Sequence, residues 1–244
     1  MTTILISIEG NIGTGKTTLL DHLKDHYKDD IKIGYLAEPV DVWNTIKDKA
    51  GYTILEKYYS DQTKYAFAFQ MMAYISRLSV LKAALQEKKY NIIITERSLF
   101  TDSQVFAKML YDTQRIEEVE YLIYNKWFNE FMADLPPINY IYLQADPVSS
   151  FARVNKRGRV GENIPLSYLE TCHQYHERWL LPYTKFCRKI LVLDATGDIA
   201  DILPAWFIAI DRFIAIHQIK FSAVRDINTV ETVNEHRHIM NSGI

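Results

Sequence analysis

Cysteine is nearly absent: Cys172 and Cys187 are the two such residues in 244. Neither has a partner at metal-ligand spacing, which excludes a disulfide framework or a zinc ribbon and leaves reduced thiols in a reducing compartment. A large excess of either charge is missing as well. The formal net charge is −2, so no global attraction to nucleic acid or to an anionic membrane is expected, and any basic site must be local. No apolar stretch of about eighteen residues is free of charges, which excludes a helix built to span a bilayer. Repeats and low-complexity tracts are lacking too. The first apolar run begins beside Met1 and leaves no room for a signal or transit peptide in this numbering, so a cytoplasmic protein is expected.

What is present is core material. With 48% hydrophobic and 13% aromatic residues, the chain can bury a large single core. Apolar, β-branched runs alternate with longer helical patterns. The runs predict strands over Thr3–Ile8, Ile31–Ala37, Asn91–Thr95, Tyr140–Gln144 and Ile190–Leu193, nearly uniformly apolar as in a parallel sheet covered on both faces. Helices are expected over Asp61–Lys88 and over Ile116–Phe131, the latter ending before Pro136 and Pro137. Asp146-Pro147 has the form of an N-cap with proline in the first turn, and Ser167 with Glu170 that of a capping box after Pro165. This order predicts an α/β fold with a five-stranded parallel sheet, whose ligands sit beyond the carboxyl ends of the strands.

Beyond the first strand stands Gly10-Asn11-Ile12-Gly13-Thr14-Gly15-Lys16-Thr17, followed by Thr18. This is the phosphate-loop pattern G-x-x-x-x-G-K-[ST] between a strand and a helix. Its backbone N–H groups and the helix N-terminus suit phosphate oxygens, Lys16 the outer phosphates, and the Thr17 hydroxyl a Mg²⁺ ion. A nucleoside triphosphate such as ATP is therefore the expected ligand. Glu38 and Trp43 follow the second strand, and Glu96, Arg97 and Asp102 the third. Phosphoryl transfer to a hydroxyl needs positioning, charge neutralisation and a proton acceptor, and both Glu38 and Glu96 are candidates for the last. Arg153, Arg157 and Arg159 run into Val160-Gly161-Glu162-Asn163. They can form a lid over the phosphates or a solvated basic turn.

Taken together, the loop, Glu38-Pro39-Val40, Phe67-Ala68-Phe69-Gln70, Ser76-Arg77, Glu96-Arg97-Ser98, Ile141-Tyr142-Leu143-Gln144-Ala145, the three arginines and Ile164-Pro165-Leu166-Ser167-Tyr168-Leu169-Glu170 resemble the deoxycytidine and deoxyguanosine kinase family. Order and spacing both match, over about residues 3 to 217. The resemblance implies a P-loop kinase fold with an arginine lid, a kinase domain over 1–218, and a polar tail over 219–244 for which disorder is expected. It implies transfer of phosphate from ATP to the 5′-hydroxyl of a deoxynucleoside, with Mg²⁺.

Carried over by the same resemblance, Glu38 lies near the 5′-hydroxyl as the favoured base, Arg97 holds that region, and Glu96 joins Thr17 at Mg²⁺. Gln70 faces the base edge, with Arg77 and Asp102 as a charged pair beside it, which favours deoxyadenosine, deoxyguanosine and deoxycytidine over thymidine. Ile12, Trp43, Phe69 and Phe106 wall the base. Tyr59 and Glu170 hold the sugar 3′-hydroxyl, a role in which Glu170 competes with its own capping box. Gly197, Asp198 and Ile199, in the loop after the last strand, seat the donor base. A homodimer through a helix bundle is implied, with no nucleic-acid or membrane partner. A nucleoside monophosphate kinase and a non-catalytic scaffold are the rival readings. The first sets Glu38 against the acceptor's phosphate, and the second leaves Lys16, Arg97 and the lid arginines without a purpose.

Overall fold

A computed structural model describes residues 3–159, 164–184 and 189–218, without the side chains of 183 and 184. Cys187, the centre of the expected lid (160–163) and the tail 219–244 lie outside them. Five strands, β1 (Ile4–Gly10), β2 (Ile33–Leu36), β3 (Ile92–Glu96), β4 (Ile138–Gln144) and β5 (Ile190–Asp194), form one parallel sheet in the order β2-β3-β1-β4-β5. The register pairs Ile8 with Glu96 and Gly10 with Leu143, so the end of β1 opens between the ends of β3 and β4.

Alternation divides the strand residues between two covered faces. Leu5 and Ile93 join one cluster with Tyr74, Leu78 and Leu81 of α4 (Gln62–Gln86) and Tyr124 and Phe128 of α7 (Glu118–Met132). Ile4, Ile6, Ile8, Ile92 and Ile94 are equally buried and point the other way. There α1 (Lys16–His26) lies against β1 and β3 and buries Leu19, Leu20 and Leu23. The 25 residues of α4 carry apolar side chains all round because the helix is covered on two sides. Phe69 and Ala73 enter a second cluster with Trp43 of α2 (Val40–Thr45) and Tyr58 of α3 (Ile54–Ser60).

The expected strands are all present, with shifted ends. Three of them, β1, β3 and β5, end one or two residues later than expected, β4 begins two residues earlier, and β2 contracts to four residues because it pairs on one side only and Ile31 is exposed. The 116–131 helix begins at Glu118, where Glu117 and Glu120 form the capping box. The capping box expected at Ser167 is not formed. Helix α9 (Leu166–Thr184) has already begun there, since Leu169 N–H donates to the Pro165 carbonyl, and Ser167 sits in the first turn. Asp146 does cap α8 (Pro147–Arg157), accepting from Ser149 N–H, and Gly158 ends that helix at φ 61°. No helix among the described residues is long and apolar enough to cross a membrane.

From Ala200 a separate unit begins, helical over 200–218 among the described residues. Its Trp206, Ile210, Phe213 and Ile214 form a buried stripe at helical spacing.

Candidate active site

The phosphate loop leaves β1 at Gly10 and enters α1 at Lys16. Gly10 (φ 148°) and Gly13 (φ 86°) hold conformations that a side chain resists, and a Cβ on Gly13 would lie 2.5 Å from the Ser150 carbonyl oxygen. Asn11 locks the turn: its Nδ2 donates to the Leu169 carbonyl (2.8 Å) and its Oδ1 accepts from Ile12 N–H (2.8 Å). Lys16 folds back, its Nζ 2.6 Å from the Asn11 carbonyl oxygen. Burial, and next the Arg97 charge, bring the Lys16 ammonium down to about 7, against the opposing pull of Glu96, Glu38 and Glu9. The first turn of α1 has no acidic residue and leaves Thr17 and Thr18 exposed. An anion-binding helix end with a lysine short of negative charge is the result.

Two arginines organise the carboxylates at the neighbouring strand ends. Arg77 is bidentate to Asp102 (Nε to Oδ2 2.9 Å, Nη2 to Oδ1 3.4 Å), donates to the Glu96 carbonyl (2.9 Å), and reaches Glu38 Oε1 (3.0 Å). Arg97 lies 3.4 Å from the same Glu38 oxygen and donates to the Gly10 carbonyl (2.9 Å). Glu96 turns the other way and accepts from the Thr17 hydroxyl (2.8 Å), so the structure joins the two residues named for Mg²⁺. Burial would raise the Glu38 carboxyl, but Arg77, Arg97 and Lys16 outweigh it and hold it below the ordinary glutamate value. Burial lifts the Asp102 carboxyl against the pull of Arg77, while the charges of Asp102 and Glu38 overcome burial to keep Arg77 protonated.

Beside this charge cluster lies an aromatic one. Trp43, Phe69, Tyr59 and Phe106 share the second core cluster, Phe69 standing edge-on to Trp43 at 5.4 Å. Phe106 carries the Arg97 guanidinium 4.9 Å above its ring. Ile12 packs with Tyr59 around Val154, Ile164 and Leu169. Gln70 is buried on α4 with its Oε1 unpartnered, an acceptor awaiting a donor. Glu170 is exposed on α9.

The three arginines separate. Arg157 and Arg159 are exposed at the end of α8, while Arg153 is drawn to the loop after β5, donating to the carbonyls of Ala195 (2.7 Å), Thr196 (3.1 Å) and Gly197 (3.0 Å). Asp194 turns that loop by accepting from Thr196 N–H (3.0 Å), leaving Gly197 and Asp198 exposed and Ile199 partly so. Sequence reasoning did not single out Glu9, which is fully buried under the loop, nor the π-helical segment Asp102–Ala107 between α5 (Leu99–Thr101) and α6 (Lys108–Asp112). A carboxylate inside an otherwise apolar strand run was the available signal for Glu9. Cys172 is buried, its thiol pushed up to about 12, and lies 3.6 Å from the Met109 sulfur.

A parallel α/β sheet ending in a phosphate loop with converging carboxylates and arginines defines a phosphoryl-transfer protein. The family model for deoxynucleoside kinase matches residues 6–220. A fowlpox virus protein described as a probable deoxycytidine kinase is 38% identical over 199 residues, covering 79% of this chain and 78% of that protein. Human deoxycytidine kinase is 34% identical over 80% of this chain and 85% of its own length. The mitochondrial deoxyguanosine kinase of Xenopus laevis is 31% identical over 73% of this chain and 74% of its own. The chain belongs to the deoxynucleoside kinase family and is an ATP-dependent kinase of deoxynucleosides.

Proposed function

We propose that this kinase phosphorylates the 5′-hydroxyl of deoxyadenosine, deoxyguanosine or deoxycytidine in preference to thymidine. The observation that carries the reading is the buried Arg77–Asp102 pair together with the unpartnered Gln70 acceptor. A fixed carboxylate and an amide oxygen suit a base with an exocyclic amino group and give the thymine methyl no apolar partner. The relatives named for deoxycytidine and deoxyguanosine support it. Trp43, Phe69, Phe106 and Ile12 wall the base, and Tyr59 and Glu170 hold the sugar.

In the transfer the 5′-oxygen attacks the γ-phosphorus, the bond from that phosphorus to the β,γ-bridging oxygen breaks, ADP leaves, and Glu38 takes the hydroxyl proton. Arg97 and Lys16 neutralise charge on the transferring group, and Arg157 and Arg159 close from α8. Arg153, already bound to the donor loop, steadies Gly197, Asp198 and Ile199 for the donor base. The adjacent Thr17 hydroxyl and Glu96 carboxylate fit Mg²⁺, which is held by few protein ligands plus phosphates and water. Mg²⁺ held there would supply positive charge to the donor's phosphates. Exposed Val119, Leu122, Ile123 and Trp127, at helical spacing on α7, form an apolar stripe that supports a homodimer. We assign the protein to the cytoplasm.

The test is kcat/KM from Mg²⁺-ATP to the four deoxynucleosides and their 5′-monophosphates. Activity on nucleosides with thymidine last is expected. Thymidine first would overturn the base reading, and activity confined to monophosphates the acceptor reading.

A further inference from the structure

Beneath the site lies Glu9, the residue before the phosphate loop, a carboxylate with no exposed surface. A carboxylate so placed needs its oxygens satisfied by the protein. One oxygen accepts from the Ser7 hydroxyl (2.7 Å) and from Ser98 N–H (3.0 Å), and the other from the Thr101 hydroxyl. Ser98 and Thr101 also cap each other at the start of α5. Between Glu96 and Ser98 stands Arg97 at φ 63°, a left-handed conformation that a residue with a side chain adopts only when its surroundings impose it.

Those surroundings are identifiable. Arg97 N–H donates to the Ile8 carbonyl (2.9 Å), the Thr95 hydroxyl donates to the Arg97 carbonyl (2.8 Å), and the next N–H, that of Ser98, ends on Glu9. The strained residue is thus pinned on both sides to β1. Its side chain in consequence reaches the Gly10 carbonyl and Glu38. We propose that Glu9 is a positioning residue for the transfer step, anchoring the Ser98 end of this turn so that the Arg97 guanidinium is held between the phosphate loop and Glu38. The inference rests on the reading that Arg97 serves the transferring group. Glu9 touches no reactant; its charge also acts on Lys16, but its positioning effect passes through Arg97.

The test is a double-mutant cycle on the full chain, with kcat, both KM values and thermal unfolding measured for Glu9→Leu, Glu9→Gln, Arg97→Met and the Glu9→Leu/Arg97→Met double. Glu9→Leu removes every acceptor and is expected to lower kcat roughly 10- to 100-fold, the scale of a small misplacement at a reacting centre, with KM changes within about 3-fold. Glu9→Gln retains an acceptor oxygen for Ser98 N–H and restores kcat to within about 5-fold. In the Arg97→Met background the Glu9→Leu change costs less than about 3-fold, because the group it positions is gone. An equal loss in both backgrounds, or a Glu9→Gln variant as impaired as Glu9→Leu, overturns the proposal. Arg97→Met with undiminished kcat would instead overturn the reading of Arg97 itself. Should Glu9→Leu not fold, Thr101→Val removes one of the same anchors and must show the same dependence on Arg97.

Discussion

The Arg77–Asp102 pair makes a prediction in which stability and specificity part company. Both side chains are buried, at 8% and 2% exposure, so removal of one partner strands a charge away from water. Breaking such a pair costs about 3–5 kcal/mol. After Asp102→Ala, Arg77 keeps its bonds to Glu38 and to the Glu96 carbonyl, which places the loss at the lower end. For a domain of this size about 3 kcal/mol corresponds to a fall in Tm of roughly 6–12 °C. The Arg77→Met/Asp102→Ala double removes both charges and fills part of the space, so it should recover about 2 kcal/mol relative to Asp102→Ala alone. Because Glu38 loses its bond to Arg77, kcat falls for every nucleoside in the double variant. The diagnostic is therefore the ratio of kcat/KM for thymidine to that for deoxycytidine, expected to rise about 10-fold or more. Urea and thermal unfolding supply the cycle, and steady-state kinetics the ratio. Additive stabilities, or a ratio that does not move, would refute the reasoning.

Lys16, brought down to about 7 by burial, should be driven to its charged form by a triphosphate. Binding of ATP at pH 8 is expected to take up nearly one proton and at pH 5.5 almost none, read by calorimetry in buffers of different ionisation enthalpy, and uptake independent of pH would contradict it. Gly13→Ala forces a Cβ to within 2.5 Å of the Ser150 carbonyl oxygen at a positive φ. It should weaken ATP binding by about 10-fold or more while leaving deoxynucleoside binding within about 3-fold. Leu122→Glu combined with Trp127→Glu on the exposed stripe of α7 is expected to convert a dimer to monomers in sedimentation velocity, and a wild-type chain that is already monomeric removes the proposal.

Much of this site is legible because phosphate chemistry requires local sequence. Gly10 to Thr17 must be contiguous, since successive backbone N–H groups surround one ligand. The strands are readable for a similar reason: burial on both faces favours apolar side chains at Ile4, Leu5, Ile6 and Ile8, with Ser7 the polar exception among them. Their ends are less so, because pairing partners and edge position decide them, as Ile31 and the contraction of β2 illustrate. What the sequence hides is whichever contact joins distant segments. Arg77 meets Glu38 across 39 positions, and Asn11 meets Leu169 across 158, with no periodicity to announce either. Ser167 misled because a capping-box pattern is read without knowing that Pro165 already starts the helix. The π-helical turn at Asp102 had no composition cue, being an insertion-like shift within an otherwise ordinary helical run.

The central claim is that Glu38, clasped by Arg77 and Arg97, accepts the proton of the 5′-hydroxyl. Single-turnover phosphate transfer by Glu38→Gln, measured beside deoxynucleoside affinity, tests it most directly. The account predicts a rate lower by about two to four orders of magnitude with affinity nearly preserved. A transfer rate equal to that of the wild-type enzyme would remove Glu38 from the chemistry.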